Sequence, residues 1–110
     1  MIKVGLYENK NGDLYGFRVR SHGDAIACAG VSALVITCAN FIMSRLGVGK
    51  VIKLDPNSGC IDFIVPCIKQ GKTNKEAALA MEQMVFGLRQ IQESYKNQIR
   101  IQTRKSDEHD

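Results

Sequence analysis

The sequence predicts an α+β domain in which a mainly antiparallel sheet of about five strands carries two helices on one face. Three observations lead there. Short runs alternate apolar and polar residues, and they come in pairs joined by turn residues. Two longer segments repeat their apolar residues at spacings of three and four. The elements appear in the order strand, strand, helix, strand, strand, helix, strand, and strands that arrive as hairpins favour antiparallel pairing.

Ile2, Val4 and Leu6 fall at period two, and Tyr15, Phe17 and Val19 resume the alternation after Asn9-Lys10-Asn11-Gly12-Asp13. Asn and Gly tolerate positive φ, so Asn11-Gly12 predicts a hairpin. From Ala25 to Leu46 the apolar positions Ala27, Val31, Leu34, Val35, Cys38, Phe41, Ile42 and Leu46 predict a buried helix. This helix is expected to be the most buried element, because its apolar residues surround more than one face. Gly47 is placed to end it in the left-handed conformation. The runs 51–54 and 61–65 flank Asp55-Pro56-Asn57-Ser58-Gly59 and predict a second hairpin, with Pro66 marking an end or an edge. Thr73-Asn74-Lys75-Glu76 reads as a capping box, Thr73 accepting the Glu76 amide while the carboxylate reaches back. The helix it opens has a core stripe of Ala77, Met81, Met84, Val85, Leu88 and Ile91. Ile99 and Ile101 then alternate with Arg100 and Gln102 in a last strand. Residues 1–103 form one domain, and 104–110 a polar, frayed C-terminal tail.

Composition narrows the class. With 45% hydrophobic and 24% charged residues the chain has the balance of a globular domain, which excludes a disordered segment or a fibre. Consecutive apolar runs fall well short of the roughly 18 residues of a membrane span, so a cytoplasmic protein with no membrane partner is expected. Cys28, Cys38, Cys60 and Cys67 lie largely in apolar stretches and are read as free thiols. They form no Cys-x-x-Cys pair, and there is no glycine-rich phosphate loop, so neither metal nor cofactor is expected. The net charge of +4 would raise the local concentration of an anionic partner such as ribosomal RNA. Along the chain, however, Lys3, Lys10, Arg18, Arg20, Arg45, Lys50, Lys53 and Lys69 are spread singly, as on a solvated face.

The chemistry concentrates in Ser21-His22-Gly23-Asp24-Ala25-Ile26-Ala27-Cys28. A cysteine falls in the first turn of the predicted helix, behind a loop that holds the one histidine outside the tail. A thiolate is the nucleophile in thiol chemistry, a helix N-terminus favours negative charge, and a nearby imidazole accepts the thiol proton. Free amides of the first turn would also suit a developing oxyanion. Spacing alone leaves two plainer readings open: a small buried hydrophobe at Cys28 and a surface turn residue at His22.

Cys28-Ala29-Gly30-Val31-Ser32-Ala33-Leu34 resembles the Cys-Ala-x-Val-Ser signature of the ribosomal-processing cysteine proteases, the Prp family. Ser21-His22-Gly23 sits where that family has Gly-His-Ala after its second strand, and the order of elements agrees over essentially the whole chain. The resemblance implies that Cys28 is the nucleophile and His22 the general base. It further implies a substrate that is the precursor of a large-subunit ribosomal protein, trimmed of a short N-terminal extension, and a homodimer. Ser32, one helical turn after Cys28, and Asp24, in the loop before it, are candidate supporting residues. Ser32 equally fits a buried hydroxyl bonded to a backbone carbonyl. The rival reading is a catalytically silent ribosome-associated binding or dimerisation domain.

Overall fold

A computed structural model describes residues 1–20, 23–55 and 57–105. The elements are β1 (Ile2–Glu8), β2 (Leu14–Arg20), α1 (Ala25–Arg45), β3 (Lys50–Asp55), β4 (Cys60–Ile64), α2 (Pro66–Lys69), α3 (Lys75–Ser94) and β5 (Ile99–Lys105). The sheet order is β3-β4-β2-β1-β5. All neighbours pair antiparallel except β1 and β5, which run parallel. The predicted α+β arrangement therefore holds, with the two hairpins joined through β2 and β4.

The first hairpin closes as its sequence requires. Gly12 takes φ 85°, and the buried Asn9 side chain accepts the amides of Asn11 and Asp13 while its Nδ2 donates to the Ile68 carbonyl. The buried amide thus bonds through both its oxygen and its nitrogen, and its partner on α2 ties that short helix to the turn. The core lies between one sheet face and the helices: Val4, Leu6, Phe17, Val19, Ile61 and Phe63 meet Val31, Val35, Ile42, Met81 and Leu88. The Phe17 and Phe63 rings sit 5.4 Å apart on paired strands.

Four local expectations change. The α1 helix is not the most buried element, because a helix laid on a sheet hides one stripe: Ala27, Val31, Val35, Cys38, Ala39 and Ile42 are buried, whereas Phe41 is 46% exposed. The α3 cap is Asn74, not Thr73: its Oδ1 accepts the Ala77 amide at 3.0 Å, so the helix starts one residue later than a capping box at Thr73 requires. Pro66 does more than end a strand, since it opens α2 at the first helical position, where its missing N–H costs nothing. Strand β5 continues through Arg104 and Lys105, because the parallel register with β1 runs on to Glu8, and Lys105 pairs with its carboxylate. Pro56 and the tail 106–110 lie outside the described residues.

By length and composition alone α1 is long and apolar enough to cross a membrane. In the fold it lies on the sheet and against α3, and close approach is secured by small residues: a Cβ on Gly30 would come within 3.1 Å of Ile91 Cδ1, and one on Gly87 within 2.9 Å of Leu34 Cδ1. Beside this crossing Leu34, Cys38, Phe41, Leu79, Ala80 and Met84 line an apolar groove of about 840 Å³.

Candidate active site

Strand β2 ends at Arg20, and the predicted base His22, with Ser21, lies outside the described residues. From Gly23 the chain runs close to the start of β1 and to the residue before β5. A Cβ on Gly23 would lie 3.2 Å from Gln98 Oε1 and 3.5 Å from Ile2 Cγ1, so glycine suits this approach. Asp24 is the N-cap of α1. Its Oδ2 accepts the amides of Ile26 and Ala27 at 3.0 and 3.1 Å, and its backbone carbonyl accepts the Cys28 amide at 2.9 Å. Cys28 therefore stands at the end of the first turn, half-buried, one side packed against the core.

This geometry corrects the expectation of free amides. A carboxylate cap uses the donors of Ile26 and Ala27, and the helical ladder uses that of Cys28. What α1 offers a developing negative charge near Cys28 is its N-terminal dipole, not those three hydrogen bonds.

The turn before β5 holds this start in place. Gln98 Oε1 accepts the Asp24 amide at 3.3 Å, while the Gln98 carbonyl accepts the amide of Ile2 at 2.7 Å. Asn97 takes φ 72° to make the turn, a conformation asparagine tolerates. One glutamine thus joins the capping residue of α1 to the entry of the sheet. Sequence reasoning missed Gln98, and no local signal marks it, since its role depends on a contact 74 residues away.

The other candidates divide clearly. Ser32 is half-buried one turn beyond Cys28 in α1. Cys38 is buried beneath the helix crossing with its thiol directed to the Ala80 carbonyl at 3.6 Å, and burial pushes its pKa up to about 12. Cys60 is buried and Cys67 half-buried, and all four cysteines are free thiols. Two of the four stand near a helix start, Cys28 in the first turn of the 21-residue α1 and Cys67 in the four-residue α2, while Cys38 and Cys60 are buried packing positions.

Residues 1–100 match the family model for cysteine protease Prp. The ribosomal processing cysteine protease Prp of Bacillus subtilis (strain 168) is 28% identical over 82 residues, which is 74% of this chain and 73% of that protein. An essential ribosomal processing protease Prp from S. aureus, in complex with a covalently linked product peptide, superposes with a TM-score of 0.83 at 27% identity, covering 94% of this chain and 100% of that one. A crystal structure of Prp from S. aureus with a substrate peptide has a TM-score of 0.80 at 24% identity over the same 94% and 100%, and shares the fold. With a thiol at a capped helix start and a match that spans nearly the whole chain, the protein belongs to the cysteine protease Prp family and is a cysteine-type peptidase.

Proposed function

We propose that this peptidase removes a short N-terminal extension from the precursor of a large-subunit ribosomal protein, with Cys28 as nucleophile and His22 as general base. The observation that carries the reading is the half-buried Cys28 thiol at the end of the first turn of α1, behind the Asp24 cap. Five residues, Gly23 to Ala27, separate His22 from Cys28 in the sequence, which keeps both groups at one strand-to-helix connection. The S. aureus relative with a covalently linked product peptide supports a covalent step, and the ribosomal processing names of the relatives support the substrate.

His22 takes the thiol proton as Cys28 Sγ bonds to the scissile carbonyl carbon, and the carbonyl π electrons move onto oxygen. Collapse breaks the C–N bond, His22 returns the proton to the leaving amine, and a thioester remains on Cys28. Water, deprotonated by His22, then adds to the thioester, releasing the carboxylate and restoring the thiol. Asp24 supports this by fixing the first turn of α1, and Ser32 sits one turn below the nucleophile.

The protein acts as a homodimer in the cytoplasm, with ribosomal RNA close to its site of action. The apolar groove between α1 and α3, with Phe41 46% and Leu79 66% exposed, supports a self-association surface. Family membership supports the compartment.

The test is cleavage of the extended precursor. Cys28→Ala abolishes it without unfolding the domain, and His22→Ala slows acylation by about 100-fold or more, the contribution of a positioned acid or base. A folded Cys28→Ala variant that cleaves at the normal rate ends the assignment.

A further inference from the structure

The sheet face away from the helices gathers the cations that the sequence spreads out. Alternation turns Lys3, Gly5 and Tyr7 of β1 to this side, with Arg18 and Arg20 of β2 and Arg100, Gln102 and Arg104 of β5. Register then decides who stands beside whom. Lys3 is directly opposite Arg20 across the antiparallel pair, and beside Arg100 across the parallel one. Neighbouring strands lie about 4.8 Å apart, so three cations form a row roughly 10 Å long. Behind it Arg18, Gly5 and Gln102 make a second row, and Arg104 stands beside Tyr7 in a third. Together they line a shallow groove of about 260 Å³.

The charges on this groove have little to offset them. Among the described residues Lys105 and Glu8 form the one ion pair, and none of the five groove cations joins one. Arg18 Nε is buried without an acceptor among the described residues. The acid nearest in register is Asp62 on β4, opposite Arg18, and it accepts the Tyr7 hydroxyl at 3.3 Å. Like charges directly across a strand pair destabilise a sheet, so an unneutralised row of three is a cost that a bound polyanion removes. Gly5 leaves the floor of the groove bare, since a Cβ there would meet only the Arg18 carbonyl, at 3.8 Å. None of the large exposed apolar side chains lines the groove, so it offers no anchor for an acyl chain or an apolar peptide side chain. The three-cation row also lies at the end of the sheet from which the chain passes to α1: β2 ends at Arg20, and Gly23 packs against Ile2, the neighbour of Lys3.

We infer that this face binds the phosphate backbone of RNA, independently of sequence, with Lys3, Arg20 and Arg100 as the primary contacts and Arg18 and Arg104 extending them. Arginine forks and a lysine at regular spacing on a flat sheet suit repeated phosphates, and the polar groove supplies position without reading bases. The inference locates on the molecule the RNA association of the proposed function and rests on that reading for its biological setting. It places the RNA beside the connection to Cys28, so that a ribosomal substrate held on RNA is presented to the thiol.

The experiment is a fluorescence-anisotropy titration of the full chain with a labelled uridine 20-mer at several KCl concentrations. The wild-type protein binds, and its affinity falls log-linearly with salt. Lys3→Gln/Arg100→Gln weakens binding by about tenfold or more and reduces the salt slope by about 1.4, at roughly 0.7 per phosphate contact on a single strand. Lys75→Gln, on α3, stays within about twofold of wild type, as expected of one charge outside the contact face. Circular dichroism checks that the double variant is folded, and Arg20→Gln alone, with a slope change of about 0.7, serves if it is not. No RNA binding by the wild type, or equal binding by the folded variants, overturns the inference. Two other outcomes also overturn it. Binding that appears only when residues 106–110 are removed gives the face to the acidic tail, and variant-sensitive binding to phosphatidylserine vesicles without RNA binding gives it to a lipid surface. Cleavage of the isolated precursor by the wild-type protein is scored separately, so a failure here is distinguishable from a failure of the protease reading.

Discussion

Gln98 accepts the backbone amide of Asp24 through its side-chain Oε1 at 3.3 Å, joining the residue before β5 to the cap of the helix that carries Cys28. The bond is exposed and so adds little stability, of the order of 1 kcal/mol or less. Its consequence is position. Gln98→Ala is expected to lower kcat for precursor cleavage several-fold with a small change in KM and melting temperature. Gln98→Glu, which keeps an acceptor at the same reach, is expected to recover most of the loss. An alanine variant with unchanged kcat removes Gln98 from the site.

Asp24→Ala removes the acceptor of two first-turn amides. The expected cost is about 1 kcal/mol, read as a melting temperature lower by roughly 4–8 °C, with Asp24→Ser retaining most of the stability. Thermal unfolding followed at 222 nm measures it. An unchanged midpoint would show that the cap contributes nothing to the start of α1.

The thiols should separate by reactivity. Cys28 is half-buried at a helix start, whereas the buried Cys38 thiol stays protonated until about pH 12. Iodoacetamide at pH 7–8 is expected to label Cys28 well before Cys38, with peptide mass spectrometry as the readout. Equal labelling of the two in the folded protein contradicts the burial assigned to α1.

Alkaline stability follows from the same burial. The Tyr7 hydroxyl is raised to about 12 by desolvation, then by the nearby Asp62, and Cys38 is raised to about 12 by desolvation. Both folded-state values exceed the unfolded ones. Between the unfolded values, near 9 and 10, and about 12, the folded chain holds more protons than the unfolded chain, so stability falls as pH rises through that window. It is fully present below pH 9. Urea midpoints measured from pH 8 to 11 should decrease progressively, and Tyr7→Phe should flatten the decline above pH 10. A midpoint that rises with pH there reverses the sign and refutes the account.

Gly16 tests the sheet. A Cβ at this position would lie 2.2 Å from the Phe63 carbonyl oxygen and 2.9 Å from Ile64 Cα, both backbone atoms that can yield only by separating β2 from β4. Gly16→Ala is expected to destabilise the domain by at least about 2 kcal/mol, toward the upper part of the overpacking range. A denaturation midpoint close to wild type would mean that the strands are less closely paired than described.

What the sequence determined by itself was local. Period-two alternation, the Asn11-Gly12 turn, the three-and-four spacing and Gly47, which takes φ 67°, located the principal strands and helices nearly to the residue, because these signals act between near neighbours along the chain. The same locality put Cys28 at a helix start, and resemblance supplied its expected chemistry. The tertiary structure decided everything that depends on which distant segments meet. Alternation set Lys3 and Arg20 on faces of their own strands, but only the parallel docking of β5 brought Arg100 beside Lys3 and turned scattered charges into a row. Gln98 looked like an ordinary polar residue until that docking carried it to Asp24. Phe41 fits the apolar repeat of α1 yet stays exposed, because a helix on a sheet buries one stripe, and which stripe is chosen by the surface it meets.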